Sequence, residues 1–253
     1  MTHRVQTILA GLLAVVFLVL VYVGWLYYEE NGHYAARHIE VKIPPGASLH
    51  DVQSVLVEGG LLDRPRLFRW VAWISGKEKN IKSGRYLIRE GESVSSILGK
   101  LSRGEVDYTQ VVIPEGFMVN EIAELVQRVA DVDSAAFYEL AYDSAFVAEL
   151  GFDSPSLEGY LYPDTYLFSW PLTAREAAER MAHRFREVYE GEIQAIADSL
   201  GYSLNKVVTI AAIIQAEAVW NSEMPHISAV YHNRLRRGWR LEADPTVAYA
   251  LGG

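Results

Sequence analysis

A single glutamate in the last third of the chain stands in an unusual place for a charge. The segment from 204 to 220 reads LNKVVTIAAIIQAEAVW, and Ile210 and Ile214 belong to an apolar stripe at helical spacing. Glu217 follows Ile214 by three residues, which puts its carboxylate on or beside that stripe. Apolar surroundings disfavour the ionised form of a carboxyl group, so such a group suits proton donation near neutral pH. The pattern predicts a general acid at Glu217, while a buried ion pair with Arg234 is the structural alternative.

The stretch that follows this glutamate is rich in polar and aromatic side chains. It contains Asn233, Arg234, Arg237, Asp244, Thr246 and Tyr249. Side chains of these kinds suit sugar recognition, because they combine hydrogen-bonding groups with flat apolar surfaces. From this block we predict that the substrate-binding residues are Asn233, Arg234, Asp244 and Thr246.

Three motifs, in this order along the chain, carry a resemblance to a known family. They are EGYLYPDTY at Glu158 to Tyr166, IIQAEAV at Ile213 to Val219, and YHNRLRRGWRLEADPTVAYA at Tyr231 to Ala250. Through these motifs the chain resembles the YceG-like endolytic murein transglycosylases. By that resemblance Glu217 matches the catalytic glutamate, and the residues expected to line or support the glycan cleft are Glu158, Tyr160, Asp164 and Tyr166. The resemblance implies no metal and no cofactor.

Two features depart from the pattern of that family. Gln215, Ala216 and Ala218 stand where more polar or charged neighbours of the glutamate are expected. Family members also continue well past the DPTV segment, whereas this sequence stops at Gly253. We therefore expect a catalytic domain that is truncated at its C-terminal end.

The resemblance implies an endolytic lytic transglycosylase, which cleaves the bond between N-acetylmuramic acid and N-acetylglucosamine within a glycan strand. One carboxyl group serves this reaction by acting first as an acid and then as a base, and the product has a 1,6-anhydro end. The expected partners are peptidoglycan glycan strands and, through the release of nascent strands, cell-wall synthesis enzymes. Two alternatives stay open: a hydrolase that pairs Glu217 with Asp244 or Glu158, and a non-catalytic peptidoglycan-binding protein.

The elements around these motifs predict an α+β protein in three parts. An uncharged apolar run at 8–28 has the length of a transmembrane helix, and Arg4 places 1–7 in the cytoplasm under the positive-inside tendency. Residues 39–104 repeat a strand, turn and helix order that resembles a small LysM-type glycan-binding module. Residues 111–253 are mainly helical and are the predicted catalytic domain. We expect a single-pass protein of the bacterial cytoplasmic membrane, attached through its N-terminal helix, with the catalytic domain outside the cytoplasm.

Local signals within the first of these modules are well defined. Ile39, Val41 and Ile43 alternate with charged residues, as they do in a half-buried strand. Ser48 is a suitable helix N-cap, and Asp51 stands three residues later as its capping partner.

Composition excludes several classes of function. The chain has 253 residues, a net charge of −9 and a pI near 5.3, whereas nucleic-acid binding depends on clustered Lys and Arg, so we predict no nucleic-acid partner. It has no cysteine, which excludes thiol catalysis and Cys-based zinc sites. Four histidines, His50, His183, His226 and His232, include no pair that stands three or four residues apart, so we predict no metal site at them.

Overall fold

The computed structural model describes residues 2–28 and 37–251, which form helices and two small two-stranded sheets. The chain divides into two compact units. The first unit ends at Tyr108 and also includes Ser169–Pro171. The second comprises Thr109–Phe168 and continues from Leu172.

The first unit builds its core from two strands and three short helices. Its elements are α1 (Thr2–Tyr28), β1 (His38–Ile43), α2 (Leu49–Glu58), α3 (Pro65–Ile74), β2 (Gly84–Arg89) and α4 (Val94–Arg103). β1 and β2 pair antiparallel, with Val41 opposite Tyr86, and both of these side chains are buried. Apolar residues of α2, α3 and α4 complete the same core. The identification of 39–104 as a LysM-like module stays a prediction.

The start of α2 illustrates how local sequence positions an element in this unit. The Ser48 hydroxyl accepts a hydrogen bond from the Asp51 N–H at 3.3 Å, and the Asp51 carboxylate accepts one from the Ser48 N–H at 2.8 Å. These two bonds form the reciprocal capping box, which satisfies donors that a helix start otherwise leaves unpaired. The predicted N-cap at Ser48 and the strand at Ile39 to Ile43 are confirmed.

The predicted transmembrane helix at 8–28 requires a correction. The first helix, α1, covers these positions, but within the described parts of the chain no helix has the combined length and apolar character needed to cross a membrane. A bilayer core requires about 20 consecutive apolar residues. For the residues that the structure describes, the prediction of a transmembrane helix is therefore wrong, and the fold is a mixture of helices and small sheets.

The second unit is mainly helical. Its strands are β3 (Tyr108–Val112) and β4 (Thr165–Ser169), which pair with each other. Its helices are α5 (Val119–Ala130), α6 (Ser134–Ala141), α7 (Ser144–Glu149), α8 (Ala174–Val188), α9 (Gln194–Ser199), α10 (Leu204–Glu217), α11 (Met224–Arg236) and α12 (Asp244–Ala250). A π-helical turn (Tyr189–Ile193) joins α8 to α9, and a 3-10 turn (Asn221–Glu223) precedes α11.

Two apolar clusters within this unit position the elements that carry the sequence motifs. The larger cluster combines α5, α6, α7 and α8 with the EGYLYPDTY segment between α7 and β4. A smaller cluster joins Ile213 of α10 to Tyr231 of α11 and to Ala243, the residue just before α12. The second and third motifs therefore meet around α10.

Candidate functional site

Glu217 is the last residue of α10. The Ser203 hydroxyl caps the start of this helix by accepting a hydrogen bond from the Lys206 N–H at 3.3 Å. Ile210 and Ile213 are buried on its inner face, whereas Ala211 is exposed. The backbone turns extended at Ala218, so Glu217 stands at the helix end and is half-buried. A carboxylate in this position is accessible to a ligand while its backbone is fixed by the helix.

The Tyr231 hydroxyl holds this carboxylate in place. It donates a hydrogen bond to Oε1 of Glu217 at 3.0 Å, across a gap of 14 residues in sequence. The tyrosine is only 7% exposed and packs in the small cluster with Ile213 and Ala243. Burial, followed by the bond to Glu217, raises the pKa of Tyr231, so the phenol keeps its proton and remains a donor at neutral pH. Its fixed ring therefore orients one carboxylate oxygen and leaves Oε2 for other partners.

Arg234, one turn further along α11, is committed to a neighbouring loop. Its guanidinium donates to the Leu241 carbonyl and forms an ion pair with Glu242 at 3.4 Å. Its own carbonyl accepts a hydrogen bond from the Trp239 N–H at 2.9 Å. Arg234 thus organises the loop between α11 and α12. The structural alternative, a buried ion pair between Arg234 and Glu217, is therefore not formed, and Arg234 pairs with Glu242.

Three other predicted residues of this block lie on α11 and α12. Asn233 is exposed, and its side-chain oxygen accepts a hydrogen bond from Arg236. The Thr246 hydroxyl donates to the Ala243 carbonyl at 2.7 Å, which fixes the first turn of α12. Asp244 is exposed in that same turn, and its negative charge contributes to the raised pKa of Tyr231. Asp244 and Glu217 therefore both act on the same phenol.

Glu158 begins the first motif and is half-buried near the N-terminus of α5. Its Oε2 accepts a hydrogen bond from the Val119 N–H at 3.2 Å. Burial raises the pKa of Glu158, and the hydrogen bonds from Val119 and from the Tyr142 hydroxyl offset this only in part. The structure thus contains a carboxyl group that holds its proton more tightly than usual.

The residue after Glu158 brings this motif against the helix that carries Glu217. Gly159 has a φ of +81°, and a Cβ atom at this position would lie 2.7 Å from Cγ1 of Val208 in α10. Only glycine combines this backbone conformation with so close an approach. The first motif is therefore in contact with α10, the helix that ends at Glu217.

Tyr160 and Tyr166, two further predicted residues of the first motif, make their contacts within the core. Tyr160 is buried against Phe152, with ring centroids 4.6 Å apart. Tyr166 is buried as well, and its hydroxyl donates to the Tyr162 carbonyl at 2.6 Å. In this structure, therefore, their rings are packed in the core and neither presents a face to a ligand, which fits a supporting position better than a lining one.

Asp164 is more exposed than these two tyrosines. Its carboxylate forms an ion pair with Arg184 of α8 at 2.8 Å, and this pairing lowers the pKa of Asp164. Its other oxygen accepts from the Thr165 N–H at 2.7 Å. These bonds tie the first motif to α8.

The arrangement suits proton transfer by a single carboxylate. Glu217 is half-buried at the end of α10 and is oriented by the Tyr231 phenol. Across residues 2–28 and 37–251, no group of three His, Asp or Glu side chains lies close enough together to hold a metal ion. Sequence reasoning missed Tyr231, although this residue opens the third motif, because nothing in its spacing relates it to Glu217.

Comparisons with known proteins agree with the motifs. A sequence model of the YceG-like family matches residues 41–253. The chain is 26% identical over 233 residues to an endolytic murein transglycosylase of Bacillus subtilis, and the match covers 85% of this chain and 63% of that protein. A protein of the same name from Streptococcus pneumoniae strain D39 is 24% identical over 245 residues, covering 85% of this chain and 44% of the relative.

One solved structure extends the comparison to three dimensions. A yceG-like protein of Listeria monocytogenes superposes with a TM-score of 0.54 at 27% sequence identity. The match covers 87% of this chain and 77% of the other. The chain spans 63% and 44% of the length of the two curated relatives described above.

Proposed function

Because this chain belongs to the YceG-like family, as its motifs predict, we propose that it is an endolytic peptidoglycan lytic transglycosylase. Its proposed substrate is the glycan strand of peptidoglycan, cut within the strand at the bond between N-acetylmuramic acid and N-acetylglucosamine. Relatives named endolytic murein transglycosylase support the activity. The observation that carries the proposal is the accessible Glu217 carboxylate, held at 3.0 Å by the Tyr231 hydroxyl.

The proposed reaction needs one carboxyl group in two successive roles. Glu217 first donates its proton to the glycosidic oxygen as the bond to N-acetylmuramic acid breaks, which releases the following sugar as an alcohol. The resulting carboxylate then removes the proton from the 6-hydroxyl, whose oxygen bonds to C1 and closes the 1,6-anhydro ring. Protons balance, and no water is consumed. Tyr231 positions the carboxylate throughout, because its raised pKa keeps the phenol protonated.

The direct test is to assay glycan strands with wild-type protein and with Glu217→Gln. General acid–base catalysis contributes about 100- to 10,000-fold in rate, so we expect the variant to lose at least about 100-fold in the formation of anhydro ends. Glu124→Gln is the matched control, because Glu124 is exposed on α5 in the same unit. An unchanged rate in Glu217→Gln would contradict the proposal.

A two-carboxylate hydrolase is the second candidate, because the charge of Asp244 reaches the same tyrosine that binds Glu217. Hydrolysis adds one water to the products, whereas transglycosylation adds none. Mass spectrometry of products formed in ¹⁸O-labelled water therefore distinguishes the two reactions. Binding of strands without any new ends would instead favour a non-catalytic peptidoglycan-binding protein.

We also propose that the chain acts outside the cytoplasmic membrane, where peptidoglycan lies, beside the enzymes that synthesise it. The support is the proposed substrate, since cleavage within strands terminates or releases nascent glycan. A reporter enzyme that is active only outside the cytoplasm, fused after the last residue, tests the location. Cross-linking in cells followed by mass spectrometry tests the partnership with synthesis enzymes.

A further inference from the structure

Three exposed tyrosines of the second unit gather around the half-buried carboxyl group of Glu158. Tyr138 lies on α6, Tyr142 caps its C-terminal end, and Tyr249 lies on α12. They are 44%, 42% and 54% exposed, respectively. The rings of Tyr138 and Tyr142 are 4.8 Å apart between centroids and tilted by 36°. We call these three tyrosines and Glu158 the tyrosine cluster.

Polar contacts connect the members of the tyrosine cluster. The Tyr142 hydroxyl hydrogen-bonds to the Glu158 carboxylate and interacts with the hydroxyl of Tyr249. Burial, and after it the negative charge of Glu158, raises the pKa of Tyr142 and of Tyr249, so both phenols keep their protons. The cluster therefore combines exposed aromatic faces with phenol hydroxyls and one carboxyl group. This is the chemistry that recognises a pyranose, whose faces are apolar and whose edge carries hydroxyls.

The position of the tyrosine cluster relates it to Glu217 through α12. The first turn of this helix carries Asp244, whose charge acts on the Tyr231 that binds Glu217. Tyr249 lies five residues further along the same helix, which corresponds to about 7.5 Å of helix axis. The helix α12 also packs on α10, which ends at Glu217. The pair of Glu217 and Tyr231 and the tyrosine cluster thus both lie near α12, within the second unit.

We propose that the tyrosine cluster is a second sugar-binding position, which holds a ring of the glycan strand beside the bond that Glu217 cleaves. This inference rests on the proposed function for the identity of the glycan. A binding position displaced from the cleavage point favours substrates that extend past that point. A strand that is cut at an internal bond extends in this way.

The test measures binding in a chain that does not cleave. In the Glu217→Gln background, we measure by calorimetry the affinity for long peptide-free glycan strands and for a disaccharide of the same sugars. Aromatic contacts of this kind contribute about 0.5–1.5 kcal/mol, so Tyr138→Ala and Tyr249→Ala are each expected to weaken long-strand binding roughly 2- to 12-fold. Disaccharide binding is expected to be unchanged.

Two controls make the result specific. Tyr249→Phe keeps the ring and is expected to retain most of the affinity, which separates stacking from a disturbance of α12. Tyr108→Ala removes a tyrosine that is 55% exposed outside the cluster and is expected to have no effect. Unchanged long-strand affinity in both cluster variants, with melting temperatures equal to that of the parent, would overturn the inference.

The outcome is separable from that of the proposed function. If wild-type protein forms no anhydro ends but the cluster variants still weaken strand binding, the cleavage proposal fails and the tyrosine cluster stands. If anhydro ends form normally and strand binding is indifferent to the cluster variants, the cluster fails and the cleavage proposal stands.

Discussion

Two carboxyl groups that are shielded from water, one in each unit, have different hydrogen-bond partners and opposite pKa shifts. Glu92 in the first unit is only 6% exposed, and Lys100 donates to its Oε2 at 2.8 Å. The Ser96 hydroxyl and the Arg89 N–H bond to it as well. Burial by itself raises the pKa of Glu92, but these hydrogen bonds outweigh burial and leave the pKa below its usual value.

The pKa of Glu158 in the second unit shifts in the opposite direction. It receives hydrogen bonds from the Val119 N–H and the Tyr142 hydroxyl, and no ion pair with Lys or Arg is seen for it in the described ranges. Burial therefore dominates and raises the pKa of Glu158. At Glu92, Lys100 and two neutral donors together outweigh burial, whereas at Glu158 two neutral donors compensate for burial only in part. The first unit holds its carboxylate ionised, whereas the second keeps an easily protonated carboxyl group beside its candidate site.

The largest effect is expected from a substitution at Gly159, the residue that follows Glu158. In Gly159→Ala, the unfavourable positive φ and the contact with Val208 together are expected to lower the free energy of unfolding by about 2–4 kcal/mol. Gly60→Ala is the control, because Gly60 has a φ of +69° but open space around it, so only about 1–2 kcal/mol is expected. Urea unfolding measures both. Equal losses would show that the approach of the first motif to α10 carries no strain.

The next largest effect is expected from breaking the ion pair between Lys100 and Glu92 in the first unit. Lys100→Met leaves the Glu92 carboxylate buried without its cation and is expected to lower the free energy of unfolding by about 1–3 kcal/mol. The double variant Glu92→Gln with Lys100→Met removes both charges and is expected to recover most of this loss, because the pair is removed as a whole. Urea unfolding of the single and double variants gives the coupling. A double variant no more stable than Lys100→Met would contradict this account of Glu92.

The smallest effect is a difference in the pH dependence of stability. The pKa of Glu158 is raised on folding, so its contribution to stability becomes more favourable as pH falls through the folded pKa toward the ordinary value of 4.5. The pKa of Glu92 is lowered, so its contribution is present above 4.5 and is lost as pH falls through the folded pKa. Unfolding of wild type, Glu92→Gln and Glu158→Gln across this range measures both signs. If the free energy of unfolding of the two variants changed with pH in the same way, the proposed contrast between Glu92 and Glu158 would be contradicted.

Local parts of the fold follow from the sequence because their causes lie within a few residues. The Ser48 and Asp51 capping box and the alternating strand at β1 involve neighbours along the chain, and both predictions are confirmed. The family was also predictable, because its three motifs are continuous stretches of sequence. The transmembrane helix is the exception, since the prediction was drawn from apolar composition at 8–28 and no described helix meets the requirement for crossing a membrane.

Sequence alone thus identified Glu217 as the candidate acid and placed it on a helix with apolar neighbours, since helical spacing relates residues three and four apart. The tertiary structure alone decided which partners this carboxylate has. Tyr231 reaches it across 14 residues, and Tyr142 meets Tyr249 from a distant helix. The physical reason is that such contacts depend on how helices pack, and packing is a property of the whole core that no local pattern encodes.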